Sequence, residues 1–90
     1  MVALCAEVVK YVIDQWDPLN LLALGAPLDE YDYELDIILF RLNFIDNISS
    51  LQIAEIIHET FTYAFDESIF AYSVDDLIEH AELILEINRH

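Results

Sequence analysis

Basic residues are nearly absent: Lys10, Arg41 and Arg89 face 18 acids, for a formal net charge of −15. Nucleic acid and anionic membrane are thereby excluded as direct ligands, because binding either depends on Lys and Arg displacing counterions from phosphates. A single glycine leaves no room for a phosphate-cradling loop. The single cysteine, Cys5, cannot close an internal disulfide; it falls on the apolar side of its helical stretch with no His nearby in sequence, so a core position is expected. The longest uncharged run, residues 18–28, is about half the length that crosses a bilayer. Residues 1–16 lack a basic leading segment and carry Glu7, Lys10 and Asp14 through their apolar stretch, so no signal peptide is read and a cytosolic location is expected.

What is present is apolar. At 57% apolar residues the chain has the material for a core, whereas disorder needs low hydrophobicity together with high charge. Ninety residues suit one domain, spanning 1–90. Nearly all its carboxylates lack a basic partner, so self-repulsion opposes folding and a basic protein surface is the complementary ligand.

Apolar residues recur at helical spacing four times. Val2, Cys5, Val9, Val12 and Trp16 define a helix over 2–16. Asp17 is an N-cap candidate with Pro18 at the first helical position, predicting a short helical turn over Leu19–Leu24 that ends at Gly25 and cannot pass Pro27. Asp29 is a second N-cap candidate, with Glu30 and Asp32 in the first turn of a helix over 30–46. Ser49 and Gln52 have capping-box form at the head of a helix over 50–66. Ser73 and Asp76 repeat that form before a helix over 74–88. No comparable stretch alternates like a strand, so the expected fold is all-α, a compact antiparallel bundle of four main helices with a short extra turn after the first. In the 66–73 connection, Ile69, Phe70 and Tyr72 are too apolar for a solvated loop and are expected to fold back onto the bundle.

The string Trp16-Asp17-Pro18, then Gly25-Ala26-Pro27, then Asp29-Glu30-Tyr31-Asp32 with Glu34 one turn on, resembles a small bacterial family of helical proteins of unknown function. The specific content of the resemblance is confined to residues 16–34. It implies a compact helical fold and a cytosolic bacterial or phage origin, and it carries no activity or catalytic residues. Read physically, each matched residue is a cap, a helix breaker, a first-turn acid or an aromatic that packs between helices.

Catalytic and metal chemistry find little support. Glu55 and His58 have Glu-x-x-His spacing on one helix face, but a di-iron bundle needs a second copy, and Glu79 with His80 has the wrong spacing. Both side chains are expected to face solvent. Asp29, Glu30, Asp32, Glu34 and Asp36 continue into a helix and do not alternate around a flexible glycine as a calcium loop does. No cofactor, metal or catalytic residue is therefore expected. A small hydrolase or metal-dependent enzyme is the least favoured reading.

Two surfaces stand out instead. The 30–46 helix carries Tyr31, Leu35, Ile38, Leu42 and Ile45 on one side and Tyr33, Ile37, Phe40 and Phe44 on the other, although an outer helix needs only one apolar face. The second stripe is either covered by the 18–28 and 66–73 connections or offered to a partner. The 74–88 helix carries Asp75, Glu79, Glu82 and Glu86 as a column of like charges with no base interleaved. The sequence predicts a non-catalytic inhibitor or immunity-type protein, toxin-neutralising or defence-related, whose acidic surface and exposed aromatics block a basic target such as a nuclease. The alternative is a homodimeric structural or regulatory module joined through the Tyr33/Ile37/Phe40/Phe44 stripe, with the acidity serving solubility.

Overall fold

The computed structural model describes residues 6–27, 29–66 and 69–88. Four helices follow in order, α1 (Ala6–Trp16), α2 (Asp32–Leu42), α3 (Ser50–Phe65) and α4 (Val74–Asn88), and no strand occurs among the described residues. The fold is all-α. The expected start of the first helix at residues 2–5, including Cys5, lies outside the described residues.

Helix α1 packs on α2 and α4, and α3 packs on the same two. The helices thus close a ring in chain order, with α2 and α4 diagonally opposed. Each turns its apolar stripe inward: Val9, Val12 and Ile13 from α1; Leu35, Ile38 and Leu42 from α2; Ile53, Ile57 and Phe61 from α3; Leu77, Ala81 and Ile84 from α4. Each large side chain fully withdrawn from water contributes roughly 1.5–3 kcal/mol, so these stripes supply the main stabilising term.

The capping residues act where their chemistry places them. Gln52 N–H donates to the Ser49 hydroxyl and Ser49 N–H donates to the Gln52 side-chain oxygen, closing a capping box on α3. Ser73 N–H donates to Asp76 Oδ2 and Asp76 N–H to Ser73 Oγ at the head of α4, so the shorter acid performs the same reciprocal capping. These bonds hold the Asp76 carboxyl below the usual carboxylate range, the Ser73 backbone N–H acting most strongly.

Four expectations need correction. Asp17 is not an N-cap, since its carboxylate reaches past the next turn to accept from Leu22 N–H and Ala23 N–H. The stretch it organises is the expected short helical turn, in which Leu24 N–H donates to Asn20 O and Leu21 O and which ends at Gly25. It closes as a Schellman motif, with Ala26 N–H donating to Leu21 O and Gly25 N–H to Leu22 O. Gly25 sits at φ +98°, and an added Cβ would meet nothing within 4 Å, so backbone conformation alone reserves the position for glycine.

Asp29 is likewise no side-chain cap. Tyr31 occupies the N-cap of α2 without a side-chain cap bond, Asp29 offers its carbonyl to Asp32 N–H, and Asp32 and Glu34 are the first-turn acids. The helix spans 32–42, shorter than the expected 30–46. Phe44 and Ile45 donate to carbonyls three residues back, and Asn47 at φ +52° turns the chain away, so the apolar period outlasts the helix.

The 66–73 connection folds back through Phe70. That ring is 1% exposed, stacks on Phe61 at 5.2 Å and meets Trp16 edge-on at 6.1 Å. Tyr72 packs edge-on to Trp16 at 5.2 Å, whereas Ile69 remains outside at 61% exposure. Phe70 and Tyr72 therefore return the loop to the bundle, and the expectation for Ile69 fails because the turn closed by Ile69 N–H on Asp66 O faces it outward.

Candidate functional site

Two residues of the Trp16–Glu34 string, Asp17 and Tyr31, meet in one polar knot. Tyr31, with no exposed surface, packs edge-on to Phe61 and extends its hydroxyl to Asp17, donating to Oδ1 while accepting from Leu19 N–H at 3.3 Å. Burial, and then the Asp17 carboxylate, push the Tyr31 phenol up to about 12. Desolvation pushes the Asp17 carboxyl up, but hydrogen bonds from Tyr31, Ala23, Leu22 and Leu21 outweigh it and leave the group below its ordinary value. Lys10 adds a clasp, reaching Asp14 at 2.9 Å and Asp32 at 2.7 Å, and its ammonium is held up by the bonds to Asp32 and Asp14. Asp17, Tyr31, Asp32 and Lys10 thus form an internal brace from α1 to the head of α2.

The second stripe of α2 is not covered. Tyr33 is 73% exposed, Phe40 67% and Phe44 75%, with Ile37 half-buried between them. Phe40 and Phe44 pair edge-to-face with centroids 5.0 Å apart, so the stripe presents a joined aromatic ridge to solvent. Tyr63, on α3 beside this face, is 94% exposed.

Between α2 and α3 the surface sinks into a groove of about 530 Å³ lined by Tyr33, Glu34, Ile37, Arg41, Thr60 and Tyr63, among others. Arg41 Nη2 meets Glu59 at 2.7 Å, and the Thr60 hydroxyl is spent on Ile56 O at 2.8 Å. Glu34 differs from both. It is 5% exposed, and among the described residues no cation pairs with it. Desolvation pushes its carboxyl above the ordinary glutamate value, its own backbone N–H opposes this, and Glu30 adds to the rise.

The acidic column is present as expected from the helical period, with Asp75, Glu79, Glu82 and Glu86 all exposed on α4. Beside it His80 is half-buried, stacked on Trp16 at 4.3 Å, and desolvation keeps its imidazole below the ordinary value against the pull of Glu79. Because α4 lies diagonally across the bundle from α2, the column and the aromatic stripe form two separate surfaces.

Glu55 faces solvent, whereas His58 is half-buried with its ring 6.1 Å from that of Phe70, because the returning loop covers it. No group of three metal-ligating side chains occurs among the described residues, and no helix there is long and apolar enough to cross a membrane. The groove and Glu34 were missed in the sequence, although a signal existed. Glu34 is the one acid of α2 flanked by both apolar stripes, three residues after Tyr31 and three before Ile37. No family model, curated protein or solved structure matches the chain, and its function is therefore read from its own surfaces.

Proposed function

We propose that this protein is a non-catalytic inhibitor or immunity-type module that binds a basic protein through the α2/α3 face. The exposed ridge of Tyr33, Phe40 and Phe44 carries this reading. Large aromatic side chains gain little for folding while they stand mostly in water, and they are the residues that anchor protein interfaces. The net charge of −15 selects the partner's sign and accelerates encounter with a basic target such as a nuclease. The column on α4 contributes to that field from the far side of the bundle and needs no direct contact. Self-association through the same ridge is the weaker reading, because two copies each bearing −15 repel.

The test uses wild-type protein and Phe40→Ala/Phe44→Ala as paired baits in a cytosolic lysate. A basic protein retained by wild type, lost by the variant and released by salt supports the reading. A dimer that survives dilution at high salt, with no such protein retained, overturns it.

A further inference from the structure

We propose that the groove between α2 and α3 is a receptor for a single arginine side chain of the basic partner, with the Glu34 carboxylate receiving the guanidinium and Tyr33 and Tyr63 flanking it at the rim. This rests on the proposed protein-binding role and names the anchor by which it is achieved.

Three observations converge on this ligand. The groove is of ligand size, its volume of about 530 Å³ falling inside the roughly 300–1,000 Å³ typical of small-molecule clefts. Its lining includes Glu34, a residue only 5% exposed, with no cation opposite it among the described residues. A buried carboxylate without a counter-charge is costly, and a cation delivered from outside removes that cost on binding. Arg41 lines the same groove, yet its guanidinium is turned to Glu59 on α3.

Arginine fits better than lysine. The planar guanidinium bonds a carboxylate in bidentate fashion and sheds its hydration more readily than an ammonium. It also lies favourably against aromatic faces, and Tyr33 and Tyr63 are exposed at the mouth of the groove. The aliphatic stem of an arginine would run over the Ile37 side of the groove.

The experiment titrates ¹⁵N-labelled protein with N-acetyl-arginine amide, with N-acetyl-lysine amide, and with N-acetyl-citrulline amide, the neutral isostere of the first. The arginine probe is expected to shift the amides of Ile37, Thr60 and Tyr63 saturably, at least about tenfold more tightly than citrulline and measurably more tightly than lysine. Glu34→Gln is expected to weaken the arginine probe to the citrulline level. Tyr63→Ala, at a side chain 94% exposed and therefore harmless to folding, is expected to weaken it several-fold and keeps the test decisive should Glu34→Gln disturb the bundle.

Equal binding of citrulline, an unchanged affinity in both variants, or shifts confined to Asp75, Glu79, Glu82 and Glu86 on α4 would overturn the proposal. Tighter binding of lysine than arginine would overturn the guanidinium assignment. Because the probe is a single amino-acid amide, its failure leaves ridge-dependent capture of a basic protein intact, and failure of that capture leaves the groove result intact.

Discussion

The hydroxyl of Tyr31 donates to the carboxylate of Asp17 across 14 residues of chain, tying the exit of α1 to the N-cap of α2. Both groups are displaced from their ordinary ionisation in the directions that keep the phenol protonated and the carboxylate charged. The two ends of the Trp16–Asp32 string are thus joined by one hydrogen bond.

Replacing Tyr31 by Phe keeps the packing on Phe61 and removes the hydroxyl, both as the donor to Asp17 and as the acceptor for Leu19 N–H. Hydrogen bonds to charged groups contribute about 1.5–3 kcal/mol, so unfolding in urea at pH 7 should show a loss of that size. The phenol's raised value means its share of stability is fully present below pH 10 and is lost as pH rises through about 12. The lowered Asp17 value means its share is present above 3.8 and is lost as pH falls through the folded value. The difference between wild type and Tyr31→Phe should therefore be flat between about pH 4 and pH 10 and shrink at either end. An unchanged unfolding midpoint at pH 7 would show that the bond stabilises nothing.

Glu34 is linked to pH in the opposite sense to Asp17. Its folded-state value lies above 4.5, so its favourable contribution is fully present below pH 4.5, where the group is protonated in both states, and is lost as pH rises through the folded value. Glu34→Gln should consequently melt higher than wild type at pH 7, with the gap closing below pH 4.5. Equal melting temperatures at pH 7 would mean that the groove solvates the carboxylate well.

Moderate salt should stabilise the free protein. The ion pairs of Lys10 with Asp14 and Asp32 and of Arg41 with Glu59 are at least partly exposed, and each contributes on the order of 0–1 kcal/mol that screening weakens. Repulsion among the surplus carboxylates is screened over roughly 10 Å at 0.1 M, and it involves many more charges. Thermal melts from low to moderate sodium chloride should rise. A fall would show that the three pairs outweigh the surplus.

Helix placement was legible because capping chemistry and apolar period agree at Ser49–Gln52, at Ser73–Asp76 and along the inward stripes of all four helices. The end of α2 was not, because Phe44 and Ile45 continue the period while Asn47 breaks the backbone, and an asparagine in the left-handed region leaves a weaker mark than a glycine. Asp17 was recognised as an acceptor of backbone N–H groups, but its donors lie five and six residues on, beyond the reach of a cap. The exposed ridge was readable as a surplus stripe, whereas its exposure depends on where the connections run. Glu34 was marked only by its place between the two apolar stripes, with Tyr31 three residues before and Ile37 three after, and its burial required the packing of α3 against α2.

The ridge and the column make separable claims because they lie on diagonally opposed helices. Phe40 is 67% exposed, so Phe40→Ala opens no cavity, and its folding cost should stay within about 0.5–1.5 kcal/mol, the worth of its edge-to-face contact with Phe44. Against a basic partner the same change should cost about 2 kcal/mol or more of binding, expressed as faster dissociation. Replacing Asp75, Glu79, Glu82 and Glu86 together by Gln should slow association and flatten its salt dependence while leaving dissociation nearly unchanged, because a charge column remote from the contact acts on encounter. Stability of that variant should hold or rise slightly as like charges along α4 are removed. Stopped-flow association and dissociation rates, read beside urea unfolding for both variants, separate the two surfaces. Faster dissociation from the column variant would place the partner on α4. An unchanged dissociation rate for Phe40→Ala would remove the ridge from the interface.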